Sequence, residues 1–354
     1  MFHGLTIGKH SVPYPLIQGG MGVRVSGYRL AGHVALNGGI GVIATPGLAL
    51  GSDAATGDSY FADDRQALLD ELRKAYEIAP DGVIGVNCMV AVSNYDDAVK
   101  ASCEGGAKLI ISGAGLPLSL PGLTAEYPDV ALVPIVSSLK AAQLIARKWH
   151  KGYGRLPDAI VVEDPDTAGG HLGEKPEKIG SGEYDQYATV RAVKEYFRSE
   201  WNLHIPIIAA GGIWDREDLE HALAEGADAV QMASRFVVTE ECDADDAFKQ
   251  AYLDCTPSDI GLMMSPAGLP GRALIGNVAA IRQRDLDEDL HCPVGCLKKC
   301  AYRDNQERFC IVQALDRAQK GDRETGLIFC GTNAWKADRI STVKEIFTEL
   351  FGEK

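Results

Sequence analysis

The chain has 354 residues, of which 46% are hydrophobic and 24% are charged, and its formal net charge is −14. At roughly 150 residues per domain this length allows two domains, although an α/β barrel uses about 250 residues as one unit. The acidity disfavours nucleic acid and anionic membranes as partners. The ordinary apolar content excludes a disordered chain, and the core can be large enough to need neither metal nor disulfide.

The amino-terminal sequence, Met1-Phe2-His3-Gly4-Leu5, does not combine a basic region with an apolar stretch, and no run of 18 apolar residues occurs. We therefore expect no signal peptide, no membrane span and a cytoplasmic protein. In that reducing compartment the nine cysteines are expected to be thiols. Clustered thiols there indicate metal or redox chemistry more than disulfides.

Eight short apolar runs alternate with longer amphipathic segments along the chain. None of the runs alternates between polar and apolar residues, which is typical of strands buried on both faces of a parallel sheet. The runs cover residues 15–18, 41–44, 83–87, 109–112, 131–136, 159–162, 205–209 and 229–232. This alternation predicts eight β/α units.

The amphipathic segments predict helices over 65–79, 139–149 and 215–225. Asp215 is the expected N-cap of the last of these helices, and Gly226 is its expected end. Eight evenly spaced β/α units predict a (β/α)8 TIM barrel with right-handed crossovers. An open, doubly wound sheet is the alternative.

Two segments interrupt the pattern. Residues 172–187 form a polar insertion after the sixth strand, which predicts a lid or rim loop. Residues 256–354 follow the eighth unit and end in an amphipathic helix over 341–351. We therefore divide the chain into a barrel of residues 1–255 and a C-terminal extension of residues 256–354 that packs on the barrel.

The predicted carboxyl ends of three strands are rich in glycine, in the segments 19–22, 210–213 and 231–234. Binding residues of a barrel lie at these ends, and the loops after strands seven and eight commonly hold a phosphate through backbone N–H groups. A phosphate-bearing ligand is therefore one interpretation, and tight strand-to-helix turns are the other. No Gly-x-Gly-x-x-Gly motif follows a strand as a dinucleotide fold would require.

Several polar residues lie where a ligand of the barrel would bind. Asn87 ends the third strand and Lys140 begins the fifth helix, although either could instead cap a helix or face solvent. Glu163 ends the sixth strand and precedes the glycine-rich loop that carries His171. A histidine between glycines is open to approach and titrates near neutral pH, which suits a general acid or base. The alternative is a surface histidine without a role.

Five motifs occur in an order and spacing that resemble a known family. They are Pro15-Leu16-Ile17-Gln18-Gly19-Gly20-Met21, Gly85-Val86-Asn87, Ala168-Gly169-Gly170-His171, Ile208-Ala209-Ala210-Gly211-Gly212-Ile213 and Gly226-Ala227-Asp228-Ala229-Val230-Gln231-Met232-Ala233-Ser234-Arg235-Phe236. Together they resemble the nitronate monooxygenase (2-nitropropane dioxygenase) family, which includes the FMN-dependent enoyl-acyl-carrier-protein reductases. The resemblance covers residues 1–255.

The resemblance implies a barrel that holds FMN, with His171 as the catalytic histidine. It places Gly212 and residues 231–234 at the phosphate, and other strand-end residues along the isoalloxazine and ribityl groups. With the residues singled out above, the expected FMN-binding set is Gly20, Met21, Asn87, Lys140, Glu163, Gly169, Gly170, Gly211, Gly212, Gln231, Met232, Ala233 and Ser234. The run Gly331-Thr332-Asn333-Ala334 is a further candidate loop at the flavin.

Four cysteines, Cys292, Cys296, Cys300 and Cys310, fall within 19 residues of the extension with the spacing C-x3-C-x3-C-x9-C. Thiolates this close repel one another, so their burial favours a metal centre. A [4Fe–4S] cluster fits three evenly spaced cysteines and a fourth better than zinc does. Zinc and free thiols are the alternatives. The other cysteines are interpreted as core or surface thiols, namely Cys88, Cys103, Cys242, Cys255 and Cys330.

Four functions are compatible with these features. The first is an FMN-dependent oxidoreductase that oxidises alkyl nitronates, as the resemblance implies. The second is an FMN and iron–sulfur enoyl-thioester reductase supplied with electrons by NAD(P)H or another donor. The third is a non-catalytic flavin or redox sensor, and the fourth is a flavin-free, zinc-stabilised lyase. The expected partner is a small-molecule substrate, and homo-oligomerisation is left open.

Overall fold

The structure, a computed structural model, describes residues 2–51, 59–287, 292, 294–304 and 306–352. An antiparallel hairpin of β1 (Leu5–Ile7) and β2 (His10–Val12) opens the chain. Within the described ranges, eight parallel strands then close into a barrel. They are β3 (Leu16–Gln18), β4 (Ile40–Ala44), β5 (Val83–Met89), β6 (Leu109–Gly113), β7 (Ala131–Val136), β8 (Ile160–Glu163), β10 (Ile207–Ala210) and β11 (Ala229–Met232).

The pairing of β11 with β3 closes the barrel, with Gln231 opposite Ile17, and β8 pairs with β10 across the insertion between them. The predicted (β/α)8 barrel is therefore confirmed, and the open sheet is excluded. All eight strands lie on the predicted apolar runs, because residues buried on both faces leave no polar alternation.

Apolar side chains of alternate strand positions fill the barrel interior. Ile17, Val42, Ile111, Val133 and Val161 belong to one buried cluster. The same cluster includes residues of the β1–β2 hairpin, which therefore closes the end of the barrel where the strands begin. The opposite end, where the strands finish, is left for a site.

The helices surround the barrel. They are α1 (Tyr28–Leu36), α2 (Tyr60–Ile78), α3 (Tyr95–Glu104), α4 (Leu120–Leu123), α5 (Leu139–Tyr153), α6 (Gln186–Trp201), α7 (Arg216–Ala224), α8 (Ser234–Val237), α9 (Asp246–Asp254), α10 (Val278–Asp287), α11 (Ile311–Gln319) and α12 (Val343–Phe351). The predicted cap of α7 is confirmed, since Asp215 accepts from the Asp218 N–H and Asp218 accepts from the Asp215 N–H. None of the helices in the described ranges is long and apolar enough to cross a membrane.

The last helix of the extension takes the place of the eighth barrel helix. The segment directly after β11, α8, has only four residues, and α12 packs against α1 and α7 instead. Its buried face, Val343, Ile346, Phe347 and Leu350, belongs to the same core cluster as the outer faces of the barrel strands. The extension thus packs on the barrel as expected, while the division at residues 255 and 256 stays a prediction.

A small antiparallel sheet lies over the carboxyl ends of the barrel strands. It consists of β12 (Ile260–Met264), β13 (Pro270–Leu274) and the two-residue strand β9 (Gly170–His171), in the order β12-β13-β9. β9 comes from the loop after β8. The polar insertion that follows β9 has no regular structure until α6 begins, which agrees with the predicted rim loop.

Helix α1 approaches the barrel closely at Gly41 of β4. A Cβ atom at this position would lie 1.8 Å from the carbonyl oxygen of Ala31 in α1. We expect Gly41→Ala to lower the free energy of unfolding by roughly 3 kcal/mol, because backbone atoms would have to move. Urea denaturation measures this change.

Gly152 of α5 provides the matched control, because a Cβ there meets nothing within 4 Å. Gly152→Ala is expected to be neutral or to stabilise the protein by up to about 1 kcal/mol, as alanine favours a helix over glycine. Equal destabilisation by both variants would show that α1 does not pack this closely on β4.

Candidate functional site

A cavity of about 280 Å³ opens at the carboxyl ends of the barrel strands. Except for Lys140, every residue predicted to bind FMN lines it, as does His171. The lining members of that set are Gly20, Met21, Asn87, Glu163, Gly169, Gly170, Gly211, Gly212, Gln231, Met232, Ala233 and Ser234. Lys140 is exposed on α5 and does not line the cavity. Lys140 does lie at the start of a helix, as predicted, but its side chain faces solvent instead of the cavity.

Two glycines let backbone segments approach each other at the cavity wall. A Cβ at Gly20 would lie 2.5 Å from the Cβ of Asn87, so glycine at this position lets Asn87 reach the cavity. A Cβ at Gly169 would lie 2.4 Å from the carbonyl carbon of Cys330, in the C-terminal extension. The glycine-rich strand ends therefore leave room for close contacts as well as for a ligand.

Gln231 of β11 carries a polar group that the protein leaves unpaired. Its side chain is buried and lines the cavity, and its Oε1 has no hydrogen-bond partner among the described residues. An unpaired buried acceptor costs about 1–3 kcal/mol. A ligand that donates an N–H or O–H to this oxygen would remove the cost.

The C-terminal extension completes the wall near the glycine-rich loops. The N–H of Gly331 donates to Ser234 Oγ at 2.9 Å, and Asn333 Nδ2 donates to the carbonyl of Gly212 at 2.6 Å. The N–H of Thr332 donates to the carbonyl of Thr167 at 3.0 Å. The candidate loop at 331–334 thus contacts the predicted phosphate site directly.

His171 lies in β9, where pairing with β13 places it opposite Gly271. Its Nε2 is 2.7 Å from Ser265 Oγ, and its ring makes an edge contact with Phe329 at 5.1 Å between centroids. Burial lowers the pKa of His171 to about 4. The imidazole is therefore neutral at pH 7.

Arg272 of β13 holds the loop that leads to His171. The guanidinium is buried and donates to the carbonyl of Ala168 and, at 3.2 Å, to the carbonyl of Pro165. Asp164 in the same loop accepts from Thr167 Oγ1 at 2.6 Å. These bonds fix the backbone between β8 and β9. The two bonds of Arg272 could not be inferred from the sequence, because their partners are about 100 residues apart.

The far end of the cavity is apolar and is formed largely by the extension. Its lining side chains are Val23, Pro46, Met89, Val92, Leu297, Ile311, Val312, Leu315, Leu327 and Phe329. Tyr60, Asp64 and Asn94 are the polar side chains here, and Asp64 accepts from Asn94 Nδ2 at 3.0 Å. No lysine or arginine of the described residues lines the cavity. Sequence reasoning missed this region, because its residues carry no motif.

The four-cysteine segment lies beside this apolar end. Cys296 lines the cavity, Cys300 and Cys310 are buried, and the neighbouring Cys310, Cys292 and Cys300 add to the effect of burial in raising the pKa of Cys296 to about 12. The segment therefore brings the four side chains into one neighbourhood. Within the described part of the chain, however, no group of three or more His, Cys, Asp or Glu is placed to hold a metal ion.

The predicted [4Fe–4S] or zinc centre at Cys292, Cys296, Cys300 and Cys310 is therefore not supported. The prediction assumed that the side chains are thiolates, which repel one another. Burial instead raises the pKa of Cys310 to about 11 as well, so the free side chains of Cys296 and Cys310 are neutral thiols at pH 7 and do not repel each other. Of the remaining cysteines, Cys255 is half-buried and the others are buried, as interpreted.

The amino-acid sequence was compared with protein-family models and with curated proteins. A family model described as nitronate monooxygenase matches residues 4–353. A (3aS,4S,5R,7aS)-5-hydroxy-7a-methyl-1-oxo-octahydro-1H-indene-4-carboxyl-CoA dehydrogenase of Mycobacterium tuberculosis is 26% identical over 74% of this chain, which corresponds to 63% of that protein. The chain thus spans less than two thirds of that relative. A nitronate monooxygenase of Pseudomonas aeruginosa is 32% identical over 33% of this chain and 31% of its own length.

Solved structures agree with the fold over nearly the whole chain. FabK from Thermotoga maritima matches with a TM-score of 0.70 and 27% identity, covering 96% of this chain and 92% of that chain. A nitroalkane oxidase from Streptomyces ansochromogenes also has a TM-score of 0.70, at 19% identity and with 96% and 95% coverage, which supports the fold alone. Since the family model covers the barrel and the extension together, the chain belongs to the nitronate monooxygenase family of oxidoreductases.

Proposed function

We propose that this protein is an FMN-dependent reductase of a neutral, apolar substrate with an activated C=C bond, such as an enoyl thioester. The overall reaction would add a hydride equivalent from NAD(P)H and a proton from solvent across that bond. The observation that carries the proposal is the charge of the cavity: its apolar end is lined by no lysine or arginine of the described residues.

The cavity has the features that FMN requires. Gln231 Oε1 is a buried acceptor without a partner, which suits a donor group on the flavin ring. Gly211 and Gly212 have φ angles of +104° and +69°, so their backbone turns sharply beside Ser234 without a Cβ in the way. Backbone N–H groups and the Ser234 hydroxyl would hold the phosphate. When bound, FMN supplies the hydride chemistry, while the protein orients the substrate.

The charge of the cavity favours a neutral substrate over a nitronate. A nitronate is an anion, and an unpaired anion is costly to move from water into an apolar site. His171 is neutral at pH 7, and the cavity carries the carboxyl groups of Asp64 and Glu163. With no lysine or arginine among the described lining residues, an anion would lack a charged partner, whereas a thioester carbonyl needs only a hydrogen-bond donor.

The apolar lining of the cavity also favours an enoyl thioester as the substrate. Leu297, Ile311 and Leu315 of the extension supply an apolar wall beyond the flavin-binding end. Burying an acyl chain or ring system there contributes about 25 cal/mol per Å² of apolar surface. The relative with 26% identity is named for a carboxyl-CoA substrate, and the family includes enoyl-acyl-carrier-protein reductases, which supports a thioester.

Oxidation of alkyl nitronates is the second candidate. It is favoured by the family model, which carries that activity in its description and matches residues 4–353. The two candidates differ in what His171 must do: a nitronate is already deprotonated and needs no base, whereas a carbonyl substrate needs a hydrogen-bond donor.

Turnover assays separate the candidates. Under argon, NAD(P)H oxidation is expected with crotonyl-CoA as the probe. In a separate air-saturated assay, oxygen consumption with propyl-2-nitronate is expected to be absent. Nitronate turnover without reduction of crotonyl-CoA or of a longer enoyl-CoA would contradict the proposal. The absorbance spectrum of the same sample tests for bound flavin.

His171→Ala is expected to lower kcat by about 10²- to 10³-fold while flavin remains bound, because His171 touches the substrate rather than the phosphate site. The exposed His204 is the matched control, and His204→Ala should leave kcat unchanged. Unchanged kinetics in His171→Ala would remove this histidine from the reaction.

Glu163 supplies a pH-dependent prediction. Burial, and then the neighbouring charge of Asp164, raises the pKa of Glu163 to about 7 from an ordinary value of 4.5. The folded state therefore favours the protonated form, so wild-type stability is lost relative to Glu163→Gln as pH rises from about 4.5 to 7. The difference should reach up to about 3 kcal/mol above pH 7 and vanish below pH 4.5.

Urea denaturation at pH 4, 6 and 8 measures this difference. Glu177→Gln, which makes the same charge change at an exposed position of the insertion, should track the wild type at every pH. A constant difference between Glu163→Gln and the wild type would show that Glu163 ionises normally in the folded protein.

A further inference from the structure

Ser265, a residue of the extension, lies within hydrogen-bond distance of the imidazole of His171. Ser265 lies in the turn between β12 and β13 and is 4% exposed, with its Oγ 2.7 Å from His171 Nε2. Such a distance requires that one of the two atoms donates a hydrogen to the other. Which atom donates decides which nitrogen of the imidazole carries the hydrogen, and so what His171 offers the substrate.

The turn holds the Ser265 side chain in place. The N–H of Ser265 donates to the carbonyl of Leu269 at 3.0 Å, and the N–H of Gly268 donates to the carbonyl of Ser265 at 2.9 Å. The N–H of Ala267 donates to Ser265 Oγ at 3.2 Å. One lone pair of the hydroxyl oxygen is therefore used, and the hydroxyl hydrogen still needs an acceptor.

His171 Nε2 is the acceptor at hydrogen-bond distance among the described residues. If Nε2 instead carried the hydrogen, Ser265 Oγ would accept twice and its own buried hydrogen would have no acceptor in this part of the structure. The free energy of an unpaired buried donor corresponds to a preference of roughly ten-fold or more for the first arrangement.

The other ring nitrogen is the one left for a ligand. His171 lines the cavity, and its Nδ1 has no hydrogen-bond partner among the described residues and is not enclosed by protein atoms. The pairing of His171 with Gly271 and the edge contact with Phe329 hold the ring from the backbone side and from one flank.

We propose that Ser265 is a positioning residue that donates its hydroxyl hydrogen to Nε2 and so holds His171 as the tautomer with hydrogen on Nδ1. The histidine then presents a neutral hydrogen-bond donor to the acyl oxygen of the substrate, where negative charge develops during reduction of a conjugated thioester. The part concerning the acyl oxygen rests on the proposed function, whereas the tautomer itself does not. A neutral imidazole that donates is a weaker acid than imidazolium and does not need to be protonated first.

Nitrogen-15 NMR of protein labelled at histidine tests the tautomer without any turnover. At pH 7 the wild type should show His171 with Nε2 unprotonated and Nδ1 protonated, the signals being assigned by their loss in His171→Gln. In Ser265→Ala the preference should fall at least ten-fold, so that signals of the Nε2–H form or of a mixture appear. Ser265→Thr keeps the hydroxyl and should restore the wild-type pattern.

Ser258 is the matched control, because it is an exposed serine of the same extension. Ser258→Ala should leave the His171 signals unchanged. Bound flavin and circular dichroism establish that each variant is folded. A wild-type spectrum with Nε2 protonated, or an unchanged tautomer in folded Ser265→Ala, would overturn the proposal.

Kinetics with crotonyl-CoA then connect the tautomer to the reaction. Ser265→Ala should lower kcat by about 10²-fold with a smaller change in KM, because the lost donor acts where charge develops, and Ser265→Thr should recover most of the rate. If the tautomer is as proposed but crotonyl-CoA and longer enoyl-CoA substrates are not reduced, the proposed function fails and the role of Ser265 in setting the tautomer stands.

Discussion

The pairing of β9 with β13 is the constraint on which the site depends. β9 is only two residues long, and it contains His171, so its position comes from the strand that it pairs with rather than from its own length. Arg272, one residue after the pairing partner of His171, also holds the preceding loop through the carbonyls of Ala168 and Pro165. The loop that carries the histidine therefore takes its partners from the extension.

The extension makes four contributions to the fold and the site. Its last helix, α12, fills the eighth position around the barrel, its hairpin orders the histidine, and its loop at 331–334 bonds to Ser234 and Gly212 at the glycine-rich end of the cavity. The apolar far wall comes from the extension as well. The extension therefore contributes both to the outer ring of helices and to the site, and the family model matches the barrel and the extension together over residues 4–353.

The buried titratable groups of the cavity favour their neutral forms, although the chain as a whole is strongly acidic. The protein has a net charge of −14, yet burial raises the pKa of Glu163 to about 7 and lowers that of His171 to about 4. Both shifts favour the neutral form, because a low-dielectric cavity disfavours either sign of charge. The same effect raises the pKa of the free Cys296 and Cys310 thiols.

The amino-acid sequence by itself determined the barrel, its eight strands and the line of residues at the strand ends. Runs such as 131–136 and caps such as Asp215 depend on periodicity and on neighbours a few residues away, so local reasoning was enough to predict them. The same holds for the glycines at 211 and 212. Lys140 shows the limit of this reasoning, since a position at a strand end or helix start does not tell where a long side chain will point.

Only the tertiary structure decided which residues meet around the histidine. Ser265 and His171 are 94 residues apart, and Gly331 and Ser234 are 97 apart, in segments that share no periodic pattern. Whether a thiol is charged or a carboxyl protonated likewise depends on how completely other segments bury it. These features arise from contacts between distant parts of the chain, and such contacts are set by packing in three dimensions rather than by the order of residues within any one element.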